Sequence, residues 1–263
     1  MSEQNDVILD ASPGGLATIM INRPELHNAF NGAVVEQLSD AFETVRTSNC
    51  RAVILRGAGK SFSAGGDLKW MRAAGHYTKS ENENDALALG HMLKKLSDLP
   101  MLTIASVQGA CMGGGCGLVA ACDVAVARKD AKFRFSEVRL GLIPAVISPY
   151  AVRAIGPRWA RALFATGEGF NGEYAEKMGL AHYTVDDENA MEDMLEYLVK
   201  LAFQTAPGAV AAAKELVDDV ADRPITEDLI HMTAKRIAAM RASDEGKEGL
   251  TAFLEKRKPS WAE

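Results

Sequence analysis

The stretches SFSAGGDLKW at residues 61–70 and GACMGGGCGL at residues 109–118 constrain the fold more tightly than any other part of the sequence. Each follows a short apolar run, 52–55 and 102–107 respectively, that is predicted to be a strand. Each also leads into a segment with helical character. The sequence therefore predicts two strand–glycine turn–helix units, in which glycines stand where the chain changes direction.

Both turns have the composition of ligand-binding loops. Glycine lets the backbone approach a ligand closely and adopt positive φ. A helix N-terminus presents free N–H groups and the positive end of the helix dipole, so it favours negative charge. Two such donors aimed at one point form an oxyanion hole. Most glycine loops only make tight turns, however, and neither stretch fits the dinucleotide or phosphate-loop pattern. Either loop alone therefore leaves the function open.

The predicted secondary structure changes near residue 145. Before it, predicted strands alternate with helices, and after it helices dominate, which is typical of an α/β core with a helical C-terminal region. We place the core at residues 1–200 and the C-terminal region at 201–263. Strands are predicted at 7–9, 16–21, 52–55, 102–107 and 124–127, and helices at 32–47, 83–97, 147–166, 172–178, 187–204, 207–221, 226–241 and 244–256.

Composition narrows the class of protein. The 263 residues are 48% hydrophobic and 24% charged, which is ordinary for a globular domain. The formal net charge of -6 disfavours a nucleic-acid partner, because phosphate binding needs clustered cations. No apolar run is long enough to span a membrane, and the polar start MSEQNDV lacks a signal-peptide core. Histidines and cysteines lack metal-ligand spacing. We expect a cytoplasmic protein without a metal site.

Five blocks spread over nearly the whole chain carry a family resemblance. They are NRPELHNA at 22–29, FSAGGDL at 62–68, GGG at 113–115 followed by Cys122-Asp123, SEVRLGLIP at 136–144 and EGLTAFLEKR at 248–257. In this order they resemble the motifs of the crotonase (enoyl-CoA hydratase/isomerase) superfamily. The resemblance implies a crotonase-type α/β fold, a spiral of ββα units, with a helical C-terminal trimerisation region. It also implies a homotrimer or a dimer of homotrimers.

The same resemblance assigns roles to individual residues. The N–H groups of Gly66 and Gly114 match the oxyanion donors, and Glu137 matches the glutamate that exchanges a proton with the substrate α-carbon. The substrate is implied to be an acyl-CoA thioester, with CoA arriving as part of it and no other cofactor. Residues expected to lie along CoA are Ala64, Gly65, Asp67, Leu68 and Lys256, the last reaching its phosphates, in some relatives from a neighbouring subunit.

One position departs from the common hydratase pattern. The second glutamate of those enzymes falls three residues after the middle glycine of the GGG run, where this chain has Gly117. Glycine can neither hold nor deprotonate water, so the usual pair of carboxylates is missing. One account is a Δ3,Δ2-enoyl-CoA isomerase, which needs a single shuttling base. Another is a non-catalytic interaction protein of the same fold, which the intact glycines and Glu137 argue against.

A third account, which we favour, is a hydratase for a branched, carboxylated enoyl-CoA. Residues 136–149 and the C-terminal end are similar to bacterial 3-methylglutaconyl-CoA and isohexenylglutaconyl-CoA hydratases. We expect the distal carboxylate of such a substrate to orient the water, with Gly117 leaving room for it. Candidate cations for that carboxylate are Arg72, Arg139 and Arg153.

Overall fold

The computed structural model describes residues 5–262. Its strands are β1 (Val7–Ala11), β2 (Leu16–Ile21), β3 (Ala52–Gly57), β4 (Leu102–Val107), β5 (Ala110–Met112), β6 (Val124–Arg128), β7 (Lys132–Arg134), β8 (Gly169–Asn171) and β9 (Tyr183–Val185). Its helices are α1 (Gly32–Arg46), α2 (Leu68–Ala74), α3 (Lys79–Ser97), α4 (Gly114–Ala121), α5 (Ser148–Thr166), α6 (Gly172–Met178), α7 (Glu188–Ala202), α8 (Pro207–Val220), α9 (Glu227–Ala242) and α10 (Asp244–Glu255).

The main sheet has the strand order β1-β2-β3-β4-β6-β9, and every pair except β1–β2 is parallel. Its central strands are buried on both faces, as parallel sheets require. Val53 and Leu55 face a core that includes α1 and α3, whereas Ile54 packs with α7 on the other face. This alternation follows from the two-residue period of a strand. The predicted α/β fold class is confirmed.

A second, three-stranded sheet, β5-β7-β8, stands beside the first. It was not predicted from the sequence, and neither was β9. Each of these four strands is only three residues long, too short for an alternating pattern to show. The second sheet positions the site because β5 leads directly into the glycine run that opens α4. It also places β7 just before Glu137.

Most helix predictions are confirmed to within two residues at each end. The exceptions lie on either side of Gly75: α3 starts at Lys79, four residues earlier than predicted, and α2 is a separate helix. Thr78 begins α3 with a capping box in which its side chain and that of Glu81 each accept from the other's backbone N–H. These capping bonds stabilise the polar first turn of α3, which continues into the apolar part of the same helix.

The C-terminal helices are tied to the core by polar contacts. Lys214 on α8 donates to the carbonyl oxygens of Leu99 and Met101 and pairs with Asp123 at 2.7 Å. Asp123 also accepts from the backbone and side chain of Thr103. The Cys122-Asp123 motif is therefore structural. The division into residues 1–200 and 201–263 stays a prediction, as these contacts cross it. No helix within residues 5–262 is long and apolar enough to cross a membrane.

Candidate active site

The two glycine loops lie side by side because their backbones are hydrogen-bonded to each other. Ser63 N–H donates to the carbonyl of Ala110 at 3.0 Å, and Met112 N–H donates to that of Ser63 at 2.9 Å. Phe30 joins the first loop from a third segment, donating to the Gly65 carbonyl at 2.7 Å. These bonds form two short parallel bridges. The predicted strand–turn–helix units thus meet at their turns.

Two glycines are required where the loops touch. Gly65 has φ of +83°, and a Cβ atom there would lie 2.8 Å from the Met112 carbonyl oxygen. At Gly115 a Cβ atom would lie 2.9 Å from the carbonyl oxygen of Ser63. Contacts this short do not occur with real side chains, so a larger residue would push the loops apart. The glycines set the distance between the two predicted donors.

The predicted oxyanion donors are brought together. Gly114 is the first residue of α4, where a helix has free N–H groups. Its nitrogen is 3.7 Å from the position that a Cβ atom on Gly65 would occupy, which puts it against the loop that carries Gly66. Within residues 5–262, neither the Gly66 nor the Gly114 N–H has a hydrogen-bond acceptor. Both residues line the same cavity and can donate to a ligand there.

Glu137 borders this pair of donors. It begins a short 3-10 helix after β7, and its Oε1 is 3.1 Å from the ideal Cβ position of Gly113, which has φ of +48°. The buried Oε2 has no hydrogen-bond partner among the described residues. Burial raises the pKa of the Glu137 carboxyl above its usual value. A carboxyl of this kind, which lines a cavity and has one unpaired oxygen, is suited to proton transfer.

Two cavities meet at this point. The first, which we call the acyl cavity, has a volume of about 500 Å³. Its walls are mostly apolar and come from Phe30, Gly66, Trp70, Met71, Ala86, Leu89, Gly114, Glu137 and residues 141–147. The second, the outer cavity, has a volume of about 820 Å³ and shares Gly66 and Met71 with the first. It carries the cationic side chains Arg23, Lys69, Arg72 and Arg139. An apolar chain fits the first cavity and an anionic group the second.

The motif NRPELHNA supports the first loop through hydrogen bonds. Asn28, at φ of +56°, accepts from Arg23 N–H and donates to the carbonyls of Ala58 and Ser61. The Arg23 guanidinium donates to the Ala29 carbonyl at 2.6 Å and to Asp67 at 3.2 Å. The motif therefore fixes the loop's position without itself reacting. The sequence predicts only that this motif ends the strand before it, and β2 does end at Ile21.

Asp67 holds the start of α2. Its side chain accepts from the N–H groups of Lys69 and Trp70 as the N-cap. Burial acts to raise the pKa of Asp67, but the hydrogen bonds from Lys69 and Trp70 and the charge of Arg23 outweigh it and lower that pKa. The carboxylate is thus ionised and already engaged within the protein.

The residues expected along CoA fall in three places. Ala64, Asp67 and Leu68 line the outer cavity together with Gly66, while Gly65 is buried at the loop contact. Lys256 lies elsewhere, as the exposed left-handed C-cap of α10. It lines neither the acyl nor the outer cavity of this protomer. Its contact with CoA stays a prediction.

Two parts of the acyl cavity were missed from the sequence. Phe30, fully buried, forms one wall and would contact any side chain placed at Gly114, at 2.7 Å. Residues 141–147 form another wall, with Leu142 and Ile143 exposed at its rim. The signal was present in the apolar run LIPAVI, which follows a glycine and has neither helical nor strand spacing.

The expectation that Gly117 leaves room for a substrate group is wrong. A Cβ atom at Gly117 would lie 2.3 Å from Cγ2 of Ile147, a residue that is itself buried. Ile147 thus fills the space that a side chain at 117 would occupy. Arg153, one of the expected cations, is exposed and pairs with Asp218 at 3.1 Å, away from the cavity lining. Glu137 is the only titratable side chain among the described residues that line the acyl cavity.

We expect Gly117→Ala to destabilise the protein by about 1–3 kcal/mol, because the added methyl group overpacks against Ile147. Ile147→Ala alone should also destabilise, since it leaves a cavity. The double variant should be more stable than the sum of the two changes implies. Denaturant unfolding of all three measures this coupling. Gly32→Ala, whose Cβ atom meets nothing within 4 Å, is the control, and strict additivity would contradict the packing argument.

Known proteins resemble the chain over nearly its whole length. The family model for enoyl-CoA hydratase/isomerase matches residues 11–263. The short-chain-enoyl-CoA hydratase of Clostridium acetobutylicum is 30% identical over 259 residues, 97% of each chain. A Legionella pneumophila structure, named for the enoyl CoA hydratase/isomerase (crotonase) group, is 43% identical with a TM-score of 0.91 over 98% of this chain and 100% of that one.

A Shewanella pealeana enoyl-CoA hydratase structure superposes with a TM-score of 0.95 at 36% identity, covering 98% of this chain and 97% of its own. Fold and sequence both agree over essentially the whole length. The chain therefore belongs to the enoyl-CoA hydratase/isomerase (crotonase) family and is an enzyme of that superfamily.

Proposed function

We propose that the protein reversibly adds water to an α,β-unsaturated acyl-CoA, with Glu137 as its single acid–base residue. The observation that carries this proposal is the position of the Glu137 carboxyl. It is half-buried, has one free oxygen, and borders the cavity into which the Gly66 and Gly114 N–H groups open. A thioester bound there has its carbonyl oxygen at the donors and its α-carbon beside the carboxylate.

The steps balance with one carboxylate. Glu137 removes a proton from water as the water oxygen bonds to C3, and the C2–C3 π electrons move onto the thioester as an enolate. The two N–H groups stabilise the enolate oxygen, and losing one such donor typically costs about 2.7–4 kcal/mol of transition-state stabilisation. Glu137 then returns the proton to C2. The product is a 3-hydroxyacyl-CoA, and neither a metal nor a redox cofactor is needed, since CoA comes with the substrate.

For the acyl group we propose a short, branched chain with a distal carboxylate, and 3-methylglutaconyl-CoA as the first substrate to test. Residues 136–149 support this choice by their resemblance to hydratases of that type. Two of the candidate cations, Arg72 and Arg139, line the outer cavity and are available to a carboxylate that reaches the point where the two cavities meet. Gly117 has no part in this version, because Ile147 fills its space.

A second candidate reaction is the Δ3,Δ2-enoyl-CoA isomerisation. The absence of a second carboxylate among the described residues of the acyl cavity favours it. Moving a double bond needs one base that takes a proton from C2 and returns it to C4. Glu137 and the same two N–H donors suffice for that reaction, so the substrate decides between the two.

We also propose a homotrimer or a dimer of homotrimers. Its support is the apolar surface of the C-terminal region, where Ile225, Phe253 and Leu254 are 85%, 80% and 78% exposed. Exposed patches of this kind mark protein contacts. In such an assembly, Lys256, which directly follows α10, would approach the CoA of a neighbouring subunit. The mass of the protein in solution tests the assembly.

The purified protein should hydrate 3-methylglutaconyl-CoA faster than crotonyl-CoA, seen as loss of the absorbance of the conjugated enoyl thioester. Glu137→Gln should lower kcat by about 10²–10⁴-fold, the usual contribution of a general acid–base group. The hydratase proposal would be wrong if neither conjugated substrate were hydrated while a 3-enoyl-CoA gained that absorbance. The protein would then be an isomerase.

The pH dependence should report the buried carboxyl. The reaction starts from ionised Glu137, and burial raises its pKa. We therefore expect kcat/KM to fall as the pH falls through a value above about 4.3, the ordinary glutamate pKa. The folded state disfavours the carboxylate, so Glu137→Gln should keep or raise the melting temperature at pH 8. An acidic limb at or below the ordinary value, or a destabilised glutamine variant, would contradict the assigned environment.

A further inference from the structure

A third cavity of about 390 Å³ lies behind the acyl cavity, between α1, α2 and α3. Trp70 is the only residue, among the described residues lining the two, that faces both. Helix α3 supplies the rest of the partition, with Ala86 and Leu89 on the acyl side and Asp85 and Ala88 on the far side. The indole is thus the bulky part of a wall that is otherwise made largely of small residues.

The two spaces that Trp70 separates differ in character. The acyl cavity contains one ionisable side chain, Glu137, in an apolar lining. The third cavity is lined by acidic side chains on α1 and α3, together with His91 and Lys95, whose ammonium donates to Ser39 at 2.7 Å. Charged groups of this kind keep a space hydrated. The wall at Trp70 therefore divides an apolar cavity from a charged one.

Trp70 is fixed by a hydrogen bond from its backbone and by the packing of its ring. Its backbone N–H donates to Asp67, the N-cap of α2, which is in turn paired with Arg23. Burial raises the pKa of the neighbouring Asp85 carboxyl, and the influence of the Trp70 indole acts in the opposite direction. The Trp70 ring packs on the main hydrophobic core while remaining half-exposed. A ring fixed in this way does not move aside freely for a longer chain.

We infer that Trp70 is the specificity-determining residue that ends the acyl cavity and restricts the enzyme to short or branched acyl groups. The inference rests on the proposed function only in requiring that the acyl group occupies the acyl cavity. A straight chain longer than the cavity must stop at the indole. Removing the indole joins the two cavities, so that further methylenes of a long acyl chain can enter the third cavity instead of remaining in bulk water. The charged lining of the third cavity limits the affinity that each methylene adds.

Calorimetric binding of saturated thioesters, from butyryl-CoA to decanoyl-CoA, tests the inference without requiring turnover. For the wild type we expect affinity to stop rising once the chain reaches Trp70. For Trp70→Ala we expect it to keep rising, by about two- to fourfold for each methylene that enters the joined space. Trp70→Phe retains a ring and should keep the wild-type profile.

Ala88→Phe provides the matched control, because it adds a ring to the third cavity only. By itself it should leave the profile unchanged, and combined with Trp70→Ala it should cancel the gain. If Trp70→Ala does not fold, Trp70→Leu should show a smaller gain of the same sign. A folded Trp70→Ala or Trp70→Leu with the wild-type profile, or a wild type whose affinity rises through decanoyl-CoA, would overturn the inference. Failure of the wild type to bind even butyryl-CoA would overturn the proposed function instead.

Discussion

The hydrogen-bonded contact between the two glycine loops is the feature on which the rest of the site depends. Ser63 exchanges backbone bonds with Ala110 and Met112, and this brings Gly66 and Gly114 against one cavity. The contact exists only because Gly65 and Gly115 carry no Cβ atom. A pair of N–H donors fixed by the fold needs no reorganisation when charge develops on a substrate oxygen, and such preorganisation is a major source of catalysis.

The surrounding residues serve this contact in different ways. Arg23, Asn28 and Asp67 are buried polar residues that fix the first loop, and their side chains find hydrogen-bond partners within the loop region. Glu137 is the opposite case, since its buried Oε2 has no partner among the described residues. An unpaired buried carboxyl is unfavourable for folding, and such groups concentrate at functional sites. The site thus combines a fixed frame with one carboxyl oxygen that the frame leaves unpaired.

Much of this could be predicted from the sequence. The helices and the longer parallel strands follow from apolar periodicity, and the glycine loops and Glu137 follow from motif order. The three-residue strands β5, β7, β8 and β9 could not be predicted, since they depend on pairing partners distant in the chain. The prediction that Gly117 leaves room for a substrate group was wrong for the same reason, because Ile147, which fills that space, is 30 positions away in the chain. Likewise, the position of Trp70 between two cavities depends on where α3 packs, which no local pattern contains.

Both candidate reactions require Glu137 and the two glycine N–H groups to transfer a proton at the α-carbon of a bound thioester. Incubating the protein with butyryl-CoA in D₂O, and following deuterium uptake at C2 by mass spectrometry, tests this step alone. We expect the wild type to incorporate deuterium at C2. The Glu137→Gln variant should bind the same thioester without incorporating deuterium. Uptake at equal rates in both proteins, or none in a wild type that binds butyryl-CoA, would contradict this expectation.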